Sequence, residues 1–432
     1  MRLSYRRLTG YALGAFGTGV FSTVPSVLLL YFCTETLGIA PAIAAAIVLV
    51  PKLWTLVWDP LVGNWSDRVH TRLGRRRPFL ALGGLTASLM FLALFAAPYG
   101  SGDASAWGVA AIYFLFICAY SLFAVPFIAV PAEISADSAE RERVTAWRIG
   151  FGMIGTLIGA GVAPILVRIG GGAREGYALM ALVVALICMA GIVSAFLSTP
   201  SDAGPETPRP TPLKEALPAL FSNLAFLKLA GGYVLQLTGV GVLSAATPYW
   251  VVQAAGLTED YVGAALGLML IVTIASTPFW AWAVRRFGAA NAIAVAAFLC
   301  GATTLGFLFI PTSPAMPSLL LYALLGFPFA GIQVGPFALA AHLTHAAAQT
   351  SGLQHQGLFT GAWTASEKLG LALGPGVAGL GLALAGFQSG AAQQTSTAIH
   401  GLTMLLAIGP TLFLWASLAL LDRRRDTVGA IA

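Results

Sequence analysis

A chain of 432 residues with 58% hydrophobic and only 9% charged side chains cannot keep most of its surface in water, since soluble domains carry about a quarter charged residues. Lipid is the solvent that fits such a composition. The net charge of +6 would suggest nucleic acid for a soluble protein, but the basic residues sit in short runs between apolar stretches, so they are read as setting membrane orientation and no nucleic-acid partner is expected.

The chain opens with MRLSYRRLTGYALGAFG, a basic start followed by an apolar run reaching about Tyr31. That run is too long for a signal-peptide core, so an uncleaved first span is expected. A bilayer core needs about 20 apolar residues per helix. Spans are predicted near 9–33, 40–64, 78–98, 107–131, 146–167 and 177–198, then 224–252, 261–282, 289–310, 317–341, 357–386 and 398–421. Backbone polar groups in lipid must be satisfied internally, which makes these runs helices. They are too long and too uniformly apolar for barrel strands. The predicted fold class is an all-α integral membrane protein of twelve transmembrane helices in two six-helix bundles.

The division falls in the middle. Residues 198–218, STPSDAGPETPRPTPLKEALP, are rich in proline and polar residues, and 199–220 reads as a linker. The expected domains are 1–198 and 221–432. A weak internal echo supports duplication: SDRVHTRLGRRR follows the second span and AVRRFGAANA the eighth. Lysine and arginine fall almost wholly into one set of alternate loops, including Arg68, Arg72, Arg75, Arg76 and Arg77, while the other set holds only Arg168 and Arg174. The asymmetry predicts cytoplasmic N- and C-termini. Cys33, Cys118, Cys188 and Cys300 lie in separate apolar runs without ligand spacing and read as small core residues. His342 and His345 are a turn apart but lack a third ligand, and no phosphate-binding loop or nucleophile elbow occurs. No metal, no other cofactor and no enzyme activity are expected.

The informative stretch is KLWTLVWDPLVGNWSDRVHTRLGRRRPF, Lys52 to Phe79. Its loop resembles the signature of the major facilitator superfamily, with Gly63, Asp67, Arg68, Gly74, Arg75 and Arg76 at the matching places. With Asp59-Pro60 just before it, and with GYALGAFG, YSLFAVPF and SEKLGLALGPGVAGLGLALAGF elsewhere, it is similar to the glycoside–pentoside–hexuronide cation symporter family. The resemblance implies a rocker-switch carrier with a central site that opens alternately to each side. It also implies that Lys368 lies near Asp59 and that Tyr120 is a sugar-site position. The departures from the family concern sodium. Where sodium-using members carry carboxylates, this chain has Thr55, Ala124, and Thr18 with Gly19. One aspartate and a threonine make a poor site for a hard cation, which wants several oxygens. A proton needs only one titratable group, so a co-transported proton is expected over sodium.

Ionisable residues inside a span are expensive, by roughly 2.5–3.5 kcal/mol at a helix centre, and usually mark a cavity or a partner. Lys52 and Asp59 are two turns apart on one helical face, with Thr55 between them. Cation coupling is assigned to Asp59, Lys368, Lys52 and Thr55. Against this stands the plainer possibility of structural ion pairs. Glu367, Arg148 and Lys228 are the other charges in or near spans, Lys228 reading as a snorkelling side chain. Sugar sites combine an aromatic face with hydrogen-bonding groups, and the substrate-binding candidates are Tyr120, Arg148, Trp58, Tyr11, Trp363 and Gln333, with Ser121 and Tyr249 beside them. Asp67, Arg68, Arg75, Arg76 and Glu133 form the expected cytoplasmic gate, against a simple orientation signal.

The resulting reading is a monomeric, multi-pass inner-membrane carrier performing proton-coupled symport of a sugar or glycoside. The alternatives are a uniporter, a carrier of another solute or an amphiphile such as a lysolipid, and a non-transporting sensor with a carrier fold.

Overall fold

The computed structural model describes residues 4–69, 71–134, 138–199, 221–310, 315–351, 356–391 and 393–421. The predicted linker at 199–220 and His70 and His355 lie largely or wholly outside these residues, and the side chains of Glu133, His342 and His345 are outside the description. Twelve α-helices are described: α1 Tyr5–Val24, α2 Pro41–Arg68, α3 Arg77–Ala96, α4 Ala106–Ile134, α5 Ser138–Ile169, α6 Ala173–Ser198, α7 Leu224–Tyr249, α8 Asp260–Phe287, α9 Ala289–Leu305, α10 Ala315–Ser351, α11 Gln356–Leu384 and α12 Ser396–Leu418. Among the described residues, eleven helical stretches are long and apolar enough to cross a membrane. The twelfth, α11, matches them in length at 29 residues, but its glycines and the Glu367-Lys368 pair dilute its hydropathy.

The helices outrun several of the predicted spans. The second continues to Arg68, the fifth begins at Ser138 and the tenth runs to Ser351. Backbone bonding does not stop where the apolar run stops, so Asp67, Arg68, Arg141 and Arg143 are helical residues rather than loop residues. Polar caps fix other ends: Ser4 accepts from the Arg7 amide, Asn223 from Phe226 and Thr395 from Ala398.

The chain forms two compact units, one built from α1–α6 and the other from α7–α12. Their internal wiring is the same. In the first, α1 packs on α5 and α6, α3 on α4 and α6, and α2 on α4; in the second, α7 packs on α11 and α12, α9 on α10 and α12, and α8 on α10. Small residues make the tightest of these crossings possible, because backbones in lipid associate by close packing. A Cβ on Gly155 of α5 would stand 2.2 Å from the Phe16 carbonyl oxygen of α1; one on Gly374 of α11 would stand 2.4 Å from the Gly241 Cα of α7. The two echoing turns also match: Gly74 and Gly288 have φ of 95° and 86°, a region that favours glycine.

The first helix of each unit ends in π-helical turns, Pro25–Leu29 and Phe32–Thr36 after α1 and Trp250–Ala254 after α7. Pro25 and Pro248 lie at these transitions, and proline removes an amide donor and crowds the preceding turn. Along α2, Trp54, Val57, Leu61 and Trp65 form an exposed apolar stripe, while Thr55, Val62 and Ser66 are buried. Arg174, one of two cations on the poorly charged side, is held by its own unit: it donates to the Tyr99 and Gly100 carbonyls at 2.5 and 2.6 Å.

Candidate functional site

In the first unit the candidate residues converge from α1, α2, α4 and α5. Lys52 lies directly after Pro51 in α2, and its Nζ donates to Ser26 Oγ at 2.9 Å. Ser26 belongs to the π turn after α1 and passes the hydrogen bond on to the Ser22 carbonyl, 2.7 Å. The Lys52 ammonium is thereby drawn across to α1 rather than snorkelling to a surface. Thr55 is buried, and its hydroxyl donates back to the Lys52 carbonyl at 2.7 Å; this leaves its oxygen only accepting capacity. Asp59 is half-buried one turn further, just before Pro60.

The aromatic candidates of this unit mostly spend their polar atoms on backbone. Trp58 donates from Nε1 to the Cys118 carbonyl, 3.1 Å, pinning α2 to α4, and its ring stacks against Trp54 at 6.3 Å. Tyr120 donates to the Thr18 carbonyl at 3.2 Å and remains half-buried. Tyr11 is packed more deeply than Tyr120. It is 1% exposed, stacks on Phe127 at 4.6 Å and donates to the Phe127 carbonyl at 2.8 Å. Its hydroxyl is engaged in the packing of α1 against α4. Arg148 on α5 lies within electrostatic reach of that hydroxyl, and its Nε is buried without an acceptor among the described residues. Ser121 is 2% exposed.

In the second unit, Trp363 of α11 stacks on Tyr233 of α7 with centroids 4.4 Å apart and planes at 7°. Phe337 of α10 meets the same indole edge-on at 5.6 Å. Trp363 is buried, yet its Nε1 has no acceptor among the described residues, and the buried Oε1 of Gln333, one turn from Phe337, has no donor. Glu367 and Lys368 follow Trp363 on α11, both half-buried, with Glu367 in electrostatic reach of Tyr233. Tyr249 is fully buried against Phe387. Lys228 is exposed, as a snorkelling residue would be.

At the end of α2 the loop residues separate. Arg76 is 8% exposed, forms an ion pair with Asp67 and donates to Ser66 Oγ at 2.5 Å. Arg77 donates to the Phe196 carbonyl at 3.1 Å and lies over the Phe196 ring at 4.5 Å, fastening the loop to α6. Arg75 is half-buried and Arg68 exposed. Neither Ser22 nor Ser26 was among the site candidates. The only sequence signal for the serines is their four-residue spacing in an apolar run. Among the described residues no three His, Cys, Asp or Glu side chains gather as a metal site; Cys33, Cys188 and Cys300 are buried and Cys118 half-buried, all as free thiols.

Two six-helix units with one wiring pattern, each with charges buried in its spans, define a membrane carrier assembled from a repeat. The chain belongs to the MFS/sugar transport protein family, which matches over residues 10–424. It is a multi-pass membrane protein of a family of secondary carriers, not enzymes. YagG of Escherichia coli (strain K12), assigned by name to the glycoside/cation symporters, is 26% identical over 414 residues, covering 95% of this chain and 89% of its own. The sodium-dependent lysophosphatidylcholine symporter 1 of Xenopus tropicalis is 23% identical over 468 residues, covering 96% and 83%. Among solved structures, an inward-facing, occupied bacterial homologue of the human lysosomal transporter Spinster aligns with a TM-score of 0.72 at 12% identity, covering 96% of this chain and 93% of that one; this likeness concerns the fold.

Proposed function

We propose that this carrier performs proton-coupled symport of a sugar or glycoside by alternating access, as a monomer of the inner membrane with both termini cytoplasmic. The observation that carries the reading is the placement of Asp59. It is a half-buried carboxylate within a membrane-spanning helix, two turns along that helix from Lys52. A cationic neighbour favours the carboxylate form, and exclusion of water favours the neutral acid. A change in water access during the cycle therefore changes the proton affinity of Asp59.

Proton is favoured over sodium by what surrounds the aspartate. Thr55 has its hydroxyl proton committed to its own helix, and Ala124 offers no oxygen. Lys52, with Ser26 as its partner, holds positive charge on the same face without a second carboxylate. In this reading Lys368 is the coupling cation of the second unit. Trp58, Tyr120 and Arg148 supply the substrate contacts of the first unit, and Trp363 and Gln333 those of the second. Trp363 and Gln333 support the assignment best, since each keeps a buried polar atom with hydrogen-bonding capacity to spare. Asp67, Arg68, Arg75, Arg76 and Glu133 act as the cytoplasmic gate.

The family description and YagG favour a sugar or glycoside, while the lysophosphatidylcholine symporter keeps a second substrate class open. The test is uptake into proteoliposomes of a labelled panel of mono- and disaccharides, glycosides and a lysolipid, under an imposed pH gradient and separately under a sodium gradient. Sugar or glycoside accumulation driven by the pH gradient alone is expected. Accumulation that requires sodium, or that occurs only with the lysolipid, would overturn the corresponding half of the reading.

A further inference from the structure

The repeat places unlike charges at like positions. Tyr11 lies eight residues before Gly19 on α1, and Tyr233 eight residues before Gly241 on α7. Those glycines mark the crossings of α1 with α5 and of α7 with α11, where Gly19 meets Gly155 and Gly241 meets Gly374. Arg148 stands seven residues before Gly155 and Glu367 seven before Gly374. In each unit the charged group lies within electrostatic reach of the buried tyrosine of that unit, Arg148 of Tyr11 and Glu367 of Tyr233. The first unit thus has a permanently charged guanidinium where the second has a group that can be charged or neutral.

The setting of Glu367 is unfavourable to charge. It is the twelfth residue of α11, roughly 16 Å from the helix start at 1.5 Å per residue. One turn before it stands Trp363, stacked on Tyr233 and edged by Phe337. Among the described residues Glu367 has no hydrogen bond or ion pair. The other titratable or charged groups on its own helix and on the elements packed against it are few. Lys368 follows it on α11, about 100° around the helix. On α7 there are Tyr233, the buried Tyr249 and the exposed Lys228; on α10 the buried Tyr322, already hydrogen-bonded to Thr247, and His342 and His345, whose side chains lie outside the description; and on α12 the exposed His400. A carboxyl group in such a place either stays neutral or carries charge only when something supplies a proton donor or a cation.

We propose that Glu367 is a second proton-binding carboxylate of this carrier, housed within the C-terminal unit one turn beyond the stacked Trp363–Tyr233 pair. It takes its proton from water when that unit is hydrated and returns it to water; no other group changes oxidation state or bonding. The inference rests on the proton-coupled reading for its use in transport, but the protonation itself can be measured apart from Asp59.

The experiment is infrared difference spectroscopy of the purified full-length carrier in lipid, titrated through neutral pH, with the wild type, Glu367→Gln, Glu367→Asp and Asp59→Asn. The expected result is a carbonyl stretch of a neutral carboxylic acid that is lost in Glu367→Gln, displaced in Glu367→Asp and retained in Asp59→Asn. Glu367→Asp serves as the readout should Glu367→Gln fail to fold. A wild-type band left unchanged by either substitution at Glu367, or the absence of any such band, would overturn the proposal. Failure of the Asp59 reading is distinguishable: Asp59→Asn would then keep full pH-driven accumulation, whatever the band at Glu367 does.

Discussion

Among individual side chains, Lys52 and Asp59 stand out in the sequence because charge in an apolar run is costly wherever the helix turns. What they touch is not legible there. Ser26, which accepts from Lys52, is an ordinary hydroxyl in an apolar helix, and only the folded crossing of α2 with the end of α1 selects it. The same holds for Tyr11: the residues do not say which neighbouring carbonyl its hydroxyl can reach, and it reaches Phe127. Two predictions belong at this scale. Ser26→Ala removes a hydrogen bond to a charged group and is expected to destabilise the carrier by about 1.5–3 kcal/mol, read as a lowered melting temperature in detergent. Asp67→Ala strips Arg76 of its ion-pair partner while that guanidinium stays buried; the expected loss is about 1–3 kcal/mol, and unchanged melting would show that Ser66 and solvent suffice to hold Arg76.

Helix existence and number were plain from apolar run length, because a bilayer imposes that length. Helix ends were not, since α2, α5 and α10 carry their backbone bonding past the apolar core into polar sequence. Glycine-rich runs occur in the first, fifth and eleventh helices, but only the structure tells which glycines are at a crossing. Gly155 and Gly374 face backbone so closely that a Cβ has nowhere to go, whereas nothing lies within 4 Å of a Cβ on Gly150 in the same α5. Gly374→Ala is therefore expected to cost about 1–3 kcal/mol through overpacking. Gly150→Ala is expected to be neutral or to stabilise by about 0.5–1 kcal/mol, the helix-interior difference between the two residues. Comparing the two melting temperatures checks both; equal effects would remove close approach as the role of Gly374.

Across the whole molecule, the duplicated wiring of the two units was foreshadowed by one weak echo of loop sequence, and its strength lies in five matching helix pairs that no local pattern displays. The charge asymmetry of the loops predicts the orientation. A membrane-impermeant thiol reagent applied to intact cells should label Ser101→Cys and spare Arg72→Cys, two exposed positions in loops of opposite sets. Background is low because the native cysteines are buried or half-buried. The reverse labelling would invert the topology and place the Asp67–Arg76 pair on the outside.

The central claim is that Asp59 couples a proton to solute movement. The most direct measurement compares the wild type and Asp59→Asn in proteoliposomes, using a solute the wild type transports, for accumulation under a pH gradient and for counterflow exchange without one. The account predicts that Asp59→Asn loses accumulation and keeps exchange, since alternating access survives the loss of the titrating group. Accumulation by Asp59→Asn equal to that of the wild type would contradict it.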